Sequence, residues 1–497
     1  MEKSKSFSEL EAAPHKLGLW SLMMSNVAAI YPMAMAVSNA SAAVAYAGFA
    51  APLVPLFGAL LMLFASIPVL EYARLTAFAG GIYGLAELGF GITVGKFVGL
   101  VRLMFFLFFD SLTATAFAYI IYTTLYVMYG YQLPGWALIG LTLVFILLLY
   151  IFSIIKVVHA TFINNIIQIL QIIILIVFSI VTITQSPYSS AESFYKAFNP
   201  LSAPGGLNGF FLAVILAGFL FYTGYDAPLY LSEESKSPFR DVWRAIAYGT
   251  ILSALVGTLT LYAEVVGIGP DRLQELASVL NPGLTAFTPY VGLAGAVAFA
   301  LAAWLGQLMG GVAPGLSAVR ELYSLARDRF FGEFGYRYLT KLNERGVPSN
   351  SALVNMILGM VVTALMEFLM ITIYGMPDGA FYALFLSGSM VVAYWFVLYM
   401  IIDLALSLFF KKNGIKILTP KNFLTSIVAP AGGVTVFAIS LYLGYYNVPE
   451  PYFSGFIFVI VSTIVSFIYV LIMRRYRGKY WESYISKKVR ILRSENS

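Results

Sequence analysis

The sequence predicts an all-α integral membrane protein with twelve transmembrane helices, two five-helix halves followed by two extra helices. Three observations predict it. Apolar windows of about twenty residues recur along almost the whole chain, about the length a helix needs to cross a bilayer. Of the 497 residues 60% are hydrophobic and 11% charged, with a mean hydropathy of +0.84; soluble domains run near roughly 45–50% and about 25%. Basic residues fall almost entirely on alternate loops.

The spans are read at 18–47, 51–73, 95–127, 136–156, 161–185, 208–232, 243–268, 288–320, 350–373, 380–409, 423–446 and 452–473. All have helical length, whereas a membrane β-barrel would show alternating segments of about ten residues. With the start of the chain inside, one side and its membrane borders hold 28 of the 30 Lys and Arg residues. They run from Lys3, Lys5 and Lys16 through Arg74, Lys96, Arg102, Lys156, Lys236, Arg240 and Arg244. Arg320, Arg327, Arg329, Arg337, Lys341, Arg345, Lys411, Lys412, Lys416, Lys421 and the tail from Arg474 to Arg493 complete the set. Only Lys196 and Arg272 fall opposite. The positive-inside rule then predicts cytoplasmic termini and a multi-pass cell-membrane protein. Losing one span would scramble the alternation, so the charges also support twelve.

This divides the chain into a cytoplasmic tail at 1–16, a first half at 17–186, a second half at 187–410, two further helices at 411–473 and a basic cytoplasmic tail at 474–497. Topology accounts for the tail; contact with anionic lipid is the sharper alternative. The charged start and the length of the first apolar run predict no cleavable signal peptide. Cysteine is absent and His15 and His159 are the only histidines, so no metal centre is expected. No phosphate-binding Gly-Lys-[Ser/Thr] loop occurs, which argues against direct ATP drive. The net charge of +6 reflects topology and not a nucleic-acid partner. No cofactor is expected, and no oligomeric state is assigned.

Two spans are interrupted. Pro32 sits about halfway along the first apolar run, 17–47, where proline removes a helix hydrogen bond. The sixth span is broken at Thr223, Gly224, Tyr225 and Asp226, followed by Pro228. Unwound backbone at membrane depth survives only inside protein or along a cavity. A plain proline kink is the alternative at Pro32. The two breaks lie five spans apart, which points to an inverted-repeat transporter with its site between the halves.

Four further stretches carry a family resemblance. Glu71-Tyr-Ala-Arg74 is followed by Ala79-Gly-Gly-Ile-Tyr83 and Gly95-Lys-Phe-Val-Gly99. Phe221-Tyr-Thr-Gly-Tyr-Asp226 leads into Leu231-Ser-Glu-Glu-Ser-Lys-Ser-Pro238 and Arg244-Ala-Ile246. Ser317-Ala-Val-Arg-Glu-Leu-Tyr-Ser-Leu-Ala-Arg-Asp328 and Gly346-Val-Pro-Ser-Asn-Ser-Ala352 follow in order. Over its first ten spans the chain resembles the amino acid–polyamine–organocation permease superfamily. The resemblance implies a LeuT-type 5+5 inverted repeat with discontinuous helices 1 and 6, and a permease for amino acids or related amines. It departs from the family where a glycine-rich break in helix 1 would stand: by spacing, that slot falls on Pro32-Met-Ala-Met-Ala36. A lysine that proton-coupled members carry in helix 5 corresponds by spacing to Gln171.

An amino acid zwitterion needs fixed partners to replace water at the midplane. The second half of helix 1 offers amides of Met33, Ala34, Met35 and Ala36 to a carboxylate, with Pro32 suited to its first position. Carbonyls of Ala28, Ala29, Tyr222 and Thr223 are candidates for the ammonium, and Tyr31, Gly224 and Tyr225 complete the two breaks. Asp226 is expected either to meet an ammonium or proton, or to cap the second half of helix 6. Asp110, midway along span 3, is expected to bind a basic substrate group, to carry the coupling proton, or to pair structurally. Trp304 and Gln307 either line the site or pack. Asn164, Asn165, Gln168 and Gln171 make helix 5 polar, for interhelical bonding or as a route to the cytoplasm.

Glu71 is expected to pair with Arg74, Glu233 and Glu234 to be solvated or to pair in a gate, and Glu264, Glu367 and Asp403 to reach the interface. Residues 302–315 contain no Ser or Thr, which counts against a LeuT-type sodium site. Proton coupling through Asp110 or Asp226 is therefore preferred, with uncoupled exchange as the alternative. No cluster of His, Asp or Ser on facing helices supports an enzyme. A non-transporting sensor or channel of the same fold is the other reading.

Overall fold

The computed structural model describes residues 16–279, 281–413, 419–446, 448–477, 481 and 485. The tail through residue 15, Lys416, and most of the basic tail beyond 477 lie outside the described residues. The described chain is helical throughout; its one β feature is an isolated bridge between Leu17 and Ser235. Among the described residues, eleven helices are long and apolar enough to cross a membrane, and one bent pair brings the number to twelve.

That pair is the second span, Leu53–Ala65 and Ile67–Leu75, bent by 51°. Pro68 lies in the first turn of the second piece and has no N–H for the carbonyl four residues earlier. The Ser66 hydroxyl donates to the Met62 carbonyl at the bend. The third span, Ile92–Tyr129, has 38 residues and at about 1.5 Å per residue exceeds the thickness of a bilayer. It packs most extensively on Pro282–Arg327 and Asp378–Lys412. About 72% of the most apolar window of Leu19–Ala50 and of Pro238–Ile268 is buried, against 17% for Tyr452–Tyr476. The first and seventh spans are thus central, and the twelfth is a lipid-facing flank.

The eighth span begins later than its helix. Pro282–Arg327 is interrupted at Gly292, whose φ of 66° and ψ of −176° are not helical, so 282–291 forms a separate turn ahead of the crossing. The expectation that Glu264, Glu367 and Asp403 reach the interface is corrected: all three are at most 2% exposed. The helices run on past them, to Ile268, Tyr374 and Lys412, and neighbouring helices cover them. Glu367 accepts a hydrogen bond of 2.9 Å from the Thr142 hydroxyl.

Spans 2 and 6 meet backbone to backbone. A Cβ on Gly218 would lie 2.4 Å from the Val54 carbonyl oxygen, and one on Gly58 2.3 Å from the Gly218 carbonyl carbon. Small residues give membrane helices this approach. Gly218→Val is expected to destabilise the purified protein by about 1–3 kcal/mol through overpacking. Gly140→Ala, with nothing within 4 Å, is expected to gain about 0.5–1 kcal/mol from helix propensity. Thermal unfolding in detergent reads both signs; an unchanged midpoint for Gly218→Val contradicts the packing.

Candidate substrate site

The first helix, Leu19–Ile30, stops at Tyr31, whose φ of 58° is left-handed. Such a conformation costs a non-glycine residue about 1–3 kcal/mol and persists where surroundings over-determine it. Here the Tyr31 N–H donates to the Val27 carbonyl at 2.8 Å, and its hydroxyl donates to the Ala303 carbonyl of the eighth span at 2.6 Å. Ala34 and Met35 N–H groups donate back to the Tyr31 and Pro32 carbonyls at 2.8 and 3.1 Å. Pro32 therefore stands at the first position of the new turn, where a missing N–H leaves no bond unmade. Two of the four amides read as carboxylate donors, Ala34 and Met35, are engaged within that turn. Ala36 belongs to the wide π turn Met35–Asn39 that follows.

In the sixth span, Leu220–Tyr222 ends in a 3-10 turn, and Ala227–Tyr230 resumes as a short helix. Between them Gly224 takes a φ of +95°, open to glycine alone without strain. The break is pinned by short bonds: Tyr222 hydroxyl to the Pro55 carbonyl (2.6 Å) and Thr223 hydroxyl to the Leu220 carbonyl (2.7 Å). The Asn26 side-chain amide donates to the Tyr225 carbonyl. A Cβ on Gly224 would lie 3.1 Å from the Ala29 carbonyl oxygen. The two breaks are therefore in contact. Ala28, Ala29, Ala227 and Ala313 pack together around them, so spans 1, 6 and 8 meet there. A cavity of about 10 Å³ opens beside Gly224, lined in part by Phe105, Phe109, Asp226 and Ser317; that is close to the size of one water.

Asp226 makes no cap bond to its helix. Its two carboxylate oxygens instead accept from Arg102 Nη2 at 2.9 and 2.7 Å, and both side chains are 1% exposed. Arg102 Nε donates to the Tyr230 hydroxyl at 3.0 Å, and the guanidinium lies 4.0 Å from the Phe105 ring centroid. By sequence Arg102 marks topology and lies two turns from Asp110, too far to be its direct neighbour. The signal that it belongs to the site was its place well inside a 38-residue apolar helix, where an unpaired arginine would be costly.

Asp110 turns away from the breaks. Its Oδ2 accepts from Asn355 Nδ2 of the ninth span at 2.8 Å, and its Oδ1 has no partner. Gln307 donates to the Thr113 carbonyl of span 3 at 3.1 Å, while Trp304 Nε1 is unpartnered. Helix 5 forms a ladder alongside helix 1. Gln171 donates to Gln168, Gln168 to Asn164 at 3.2 Å, and Asn164 to the Met24 carbonyl at 3.1 Å. Asn165 reaches the Ser21 hydroxyl at 3.3 Å. The ladder's upper end meets the break through Gly306, where a Cβ would lie 2.6 Å from Gln171 Oε1 and 2.8 Å from the Tyr31 ring.

The side carrying the basic residues is closed beneath the breaks. Glu234 is gripped by Arg320 at 3.0 and 2.8 Å, and Glu233 by Arg327 at 3.1 and 3.0 Å. Glu233 also accepts from the Ala79 N–H, and Ser232 from the Phe78 N–H. Tyr83 donates to Asp328 at 3.1 Å. Both glutamates are at most 3% exposed, so gate-like pairing holds and solvation does not. Glu71 pairs with Arg74 at 2.6 Å, as the i,i+3 spacing predicts.

Residues 17–473 match the family described as amino acid permease. Over 353 residues the chain is 26% identical to the branched-chain amino acid permease BcaP of Lactococcus lactis subsp. cremoris (strain MG1363), covering 69% of this chain and 71% of that one. The family match over 17–473 takes in both broken spans, the paired loop acids and the eighth span. The chain belongs to the amino acid permease family, within the amino acid–polyamine–organocation superfamily, and is a membrane transport protein, not an enzyme.

Proposed function

We propose that this permease is a secondary active transporter that moves neutral, branched-chain amino acids by alternating access across the cell membrane. Both termini lie in the cytoplasm, and protons are the coupling ion. The observation that carries the reading is the contact between the breaks at Tyr31–Pro32 and Gly224. In a LeuT-type 5+5 inverted repeat, such paired unwound segments hold substrate by backbone. In this reading the zwitterion lies between Ala28, Ala29, Tyr222 and Thr223 on one side and the turn after Pro32 on the other.

Side-chain chemistry favours a neutral substrate over an amine or basic amino acid. Asp226 is taken by Arg102, and Asp110 faces Asn355, so neither carboxylate is offered at the breaks. Beside Gly224, Phe105, Phe106 and Phe109 stand next to the Arg102–Asp226 pair, so the surface there that is not already ion-paired is largely apolar, as an aliphatic side chain prefers. The branched-chain permease named above agrees with this choice.

Two experiments test it. Proteoliposomes loaded with unlabelled leucine should take up labelled leucine, isoleucine and valine by counterflow, with lysine at least about tenfold poorer, a gap of about 1.4 kcal/mol. No counterflow with any of the three would sink the transporter reading, and a preference for lysine would sink the neutral substrate. Alternating access is tested by cysteine accessibility, since the chain has no cysteine. A Ser317→Cys probe below the break should label slowly from the cytoplasmic side. Adding Glu234→Gln, which breaks a buried pair worth about 3–5 kcal/mol to its partner, should raise that rate at least fivefold. An unchanged rate would mean that the Arg320 pair does not hold the cytoplasmic side shut.

A further inference from the structure

Among the described residues, three carboxylates buried in the spans have neither oxygen hydrogen-bonded: Glu264, Glu321 and Asp403. Asp403 lies against Gly433 of the eleventh span, and Glu264 stands on the seventh span with no hydrogen-bond partner. Glu321 is one helical turn beyond Ser317, which lines the cavity beside Gly224. A Cβ on Gly99 would lie 3.3 Å from Glu321 Oε1, and Gly99 is one turn from Arg102 on the third span. Arg102 commits Nη2 and Nε to Asp226 and Tyr230, and its Nη1 is unpartnered. One guanidinium thus stands between two carboxylates and binds one of them.

Among the described residues, the surroundings offer Glu321 no other cation. Lys96 donates to the Asp328 carbonyl and lies over the Trp481 ring. Arg320 and Arg327 are held by Glu234 and Glu233. From the sixth span come Asp226 and Tyr230. Tyr72 comes from Ile67–Leu75, and Tyr83 and Glu87 come from Ile82–Phe90, each neutral or acidic. A carboxyl at 0% exposure with no hydrogen-bond partner, beside a guanidinium already committed to Asp226, is favoured as the neutral acid, because burying an unpaired carboxylate is far more expensive.

We propose that Glu321 carries the coupling proton of the transport cycle; this rests on the transporter reading above. In the closed state it holds the proton while Arg102 serves Asp226. When the cytoplasmic side opens, water reaches Glu321, its O–H bond breaks, and the proton leaves to that water. The carboxylate left behind takes the free Arg102 Nη1, so that it and Asp226 share one guanidinium charge. The emptied carrier closes with that pair formed; once the opposite side opens, a new proton arrives from there through the cavity between Gly224 and Ser317 and returns Glu321 to the neutral acid.

The test uses the full chain in proteoliposomes with two readouts: leucine exchange, which needs no net proton movement, and leucine accumulation driven by an imposed pH gradient. Glu321→Gln should exchange leucine within about threefold of the unsubstituted protein and lose accumulation at least about tenfold. Glu321→Asp, which keeps a carboxyl, should accumulate above the glutamine variant. Undiminished accumulation by Glu321→Gln overturns the proposal. Loss of both readouts in both variants also overturns it, marking Glu321 as structural. Exchange without any gradient response by the unsubstituted protein overturns the proton assignment and leaves the transporter reading standing; no exchange at all overturns both.

Discussion

A helix that unwinds at membrane depth exposes backbone groups that lipid cannot satisfy, and this constraint organises the centre of the molecule. Tyr31 and Gly224 leave the helical region within contact of one another, so each break provides protein surroundings for the other. Their neighbours are small for that reason. Ala28, Ala29, Ala227 and Ala313, with Gly306 and Gly310 on the eighth span, let three backbones converge where larger side chains would hold them apart. Tyr31 then spends its hydroxyl on the Ala303 carbonyl, and Asn26 its amide on Tyr225. Polar side chains near the breaks thus serve mainly to hold backbone in place, which in the proposed reading leaves recognition of a zwitterion to backbone groups.

Charge below the breaks obeys a related economy. Arg102–Asp226, Arg320–Glu234 and Arg327–Glu233 are each close to neutral as a pair. Each joins the loop or helix after Gly224 to span 3 or span 8. In low dielectric the attraction within such a pair roughly offsets the desolvation of its members. A closure built from them is specific in geometry without being deep in energy. That combination suits a surface meant to part and re-form, and an apolar seam of the same area would bind more tightly and select its partner less.

How much of this was legible in the sequence follows from the physics of each feature. Span number was, because apolar length is a one-dimensional signal; the placement of 28 among 30 basic residues gives the expectation of sidedness in the same way. The breaks were, because Pro32 and Gly224 announce backbone trouble locally. The partners of charged residues were not. Asp110 and Asp226 are similar acids in similar apolar context, and only the fold sends one to Asn355 and the other to Arg102. Arg102 was hidden by its own usefulness as a topology marker. Nearness to a span end does not report burial: Glu264 lies four residues before the end of its helix at Ile268, and the helix of Asp403 runs on to Lys412, yet neighbouring helices cover both.

The same reasoning explains why a chain without the usual glycines in its first break still forms one. A glycine-rich break relies on freedom of φ; this chain relies on a forced position. Pro32 fixes its own φ and withholds a donor from the Ala28 carbonyl, and the residue before a proline is disfavoured in the α region. Tyr31, so displaced, settles into the left-handed region and is held there by Ala303. The break is thereby tied to the eighth span, the element that also carries Ser317, Arg320 and Glu321. In the proposed cycle, movement of that span relative to the first acts at once on the backbone that holds substrate and on the carboxyl that holds the proton.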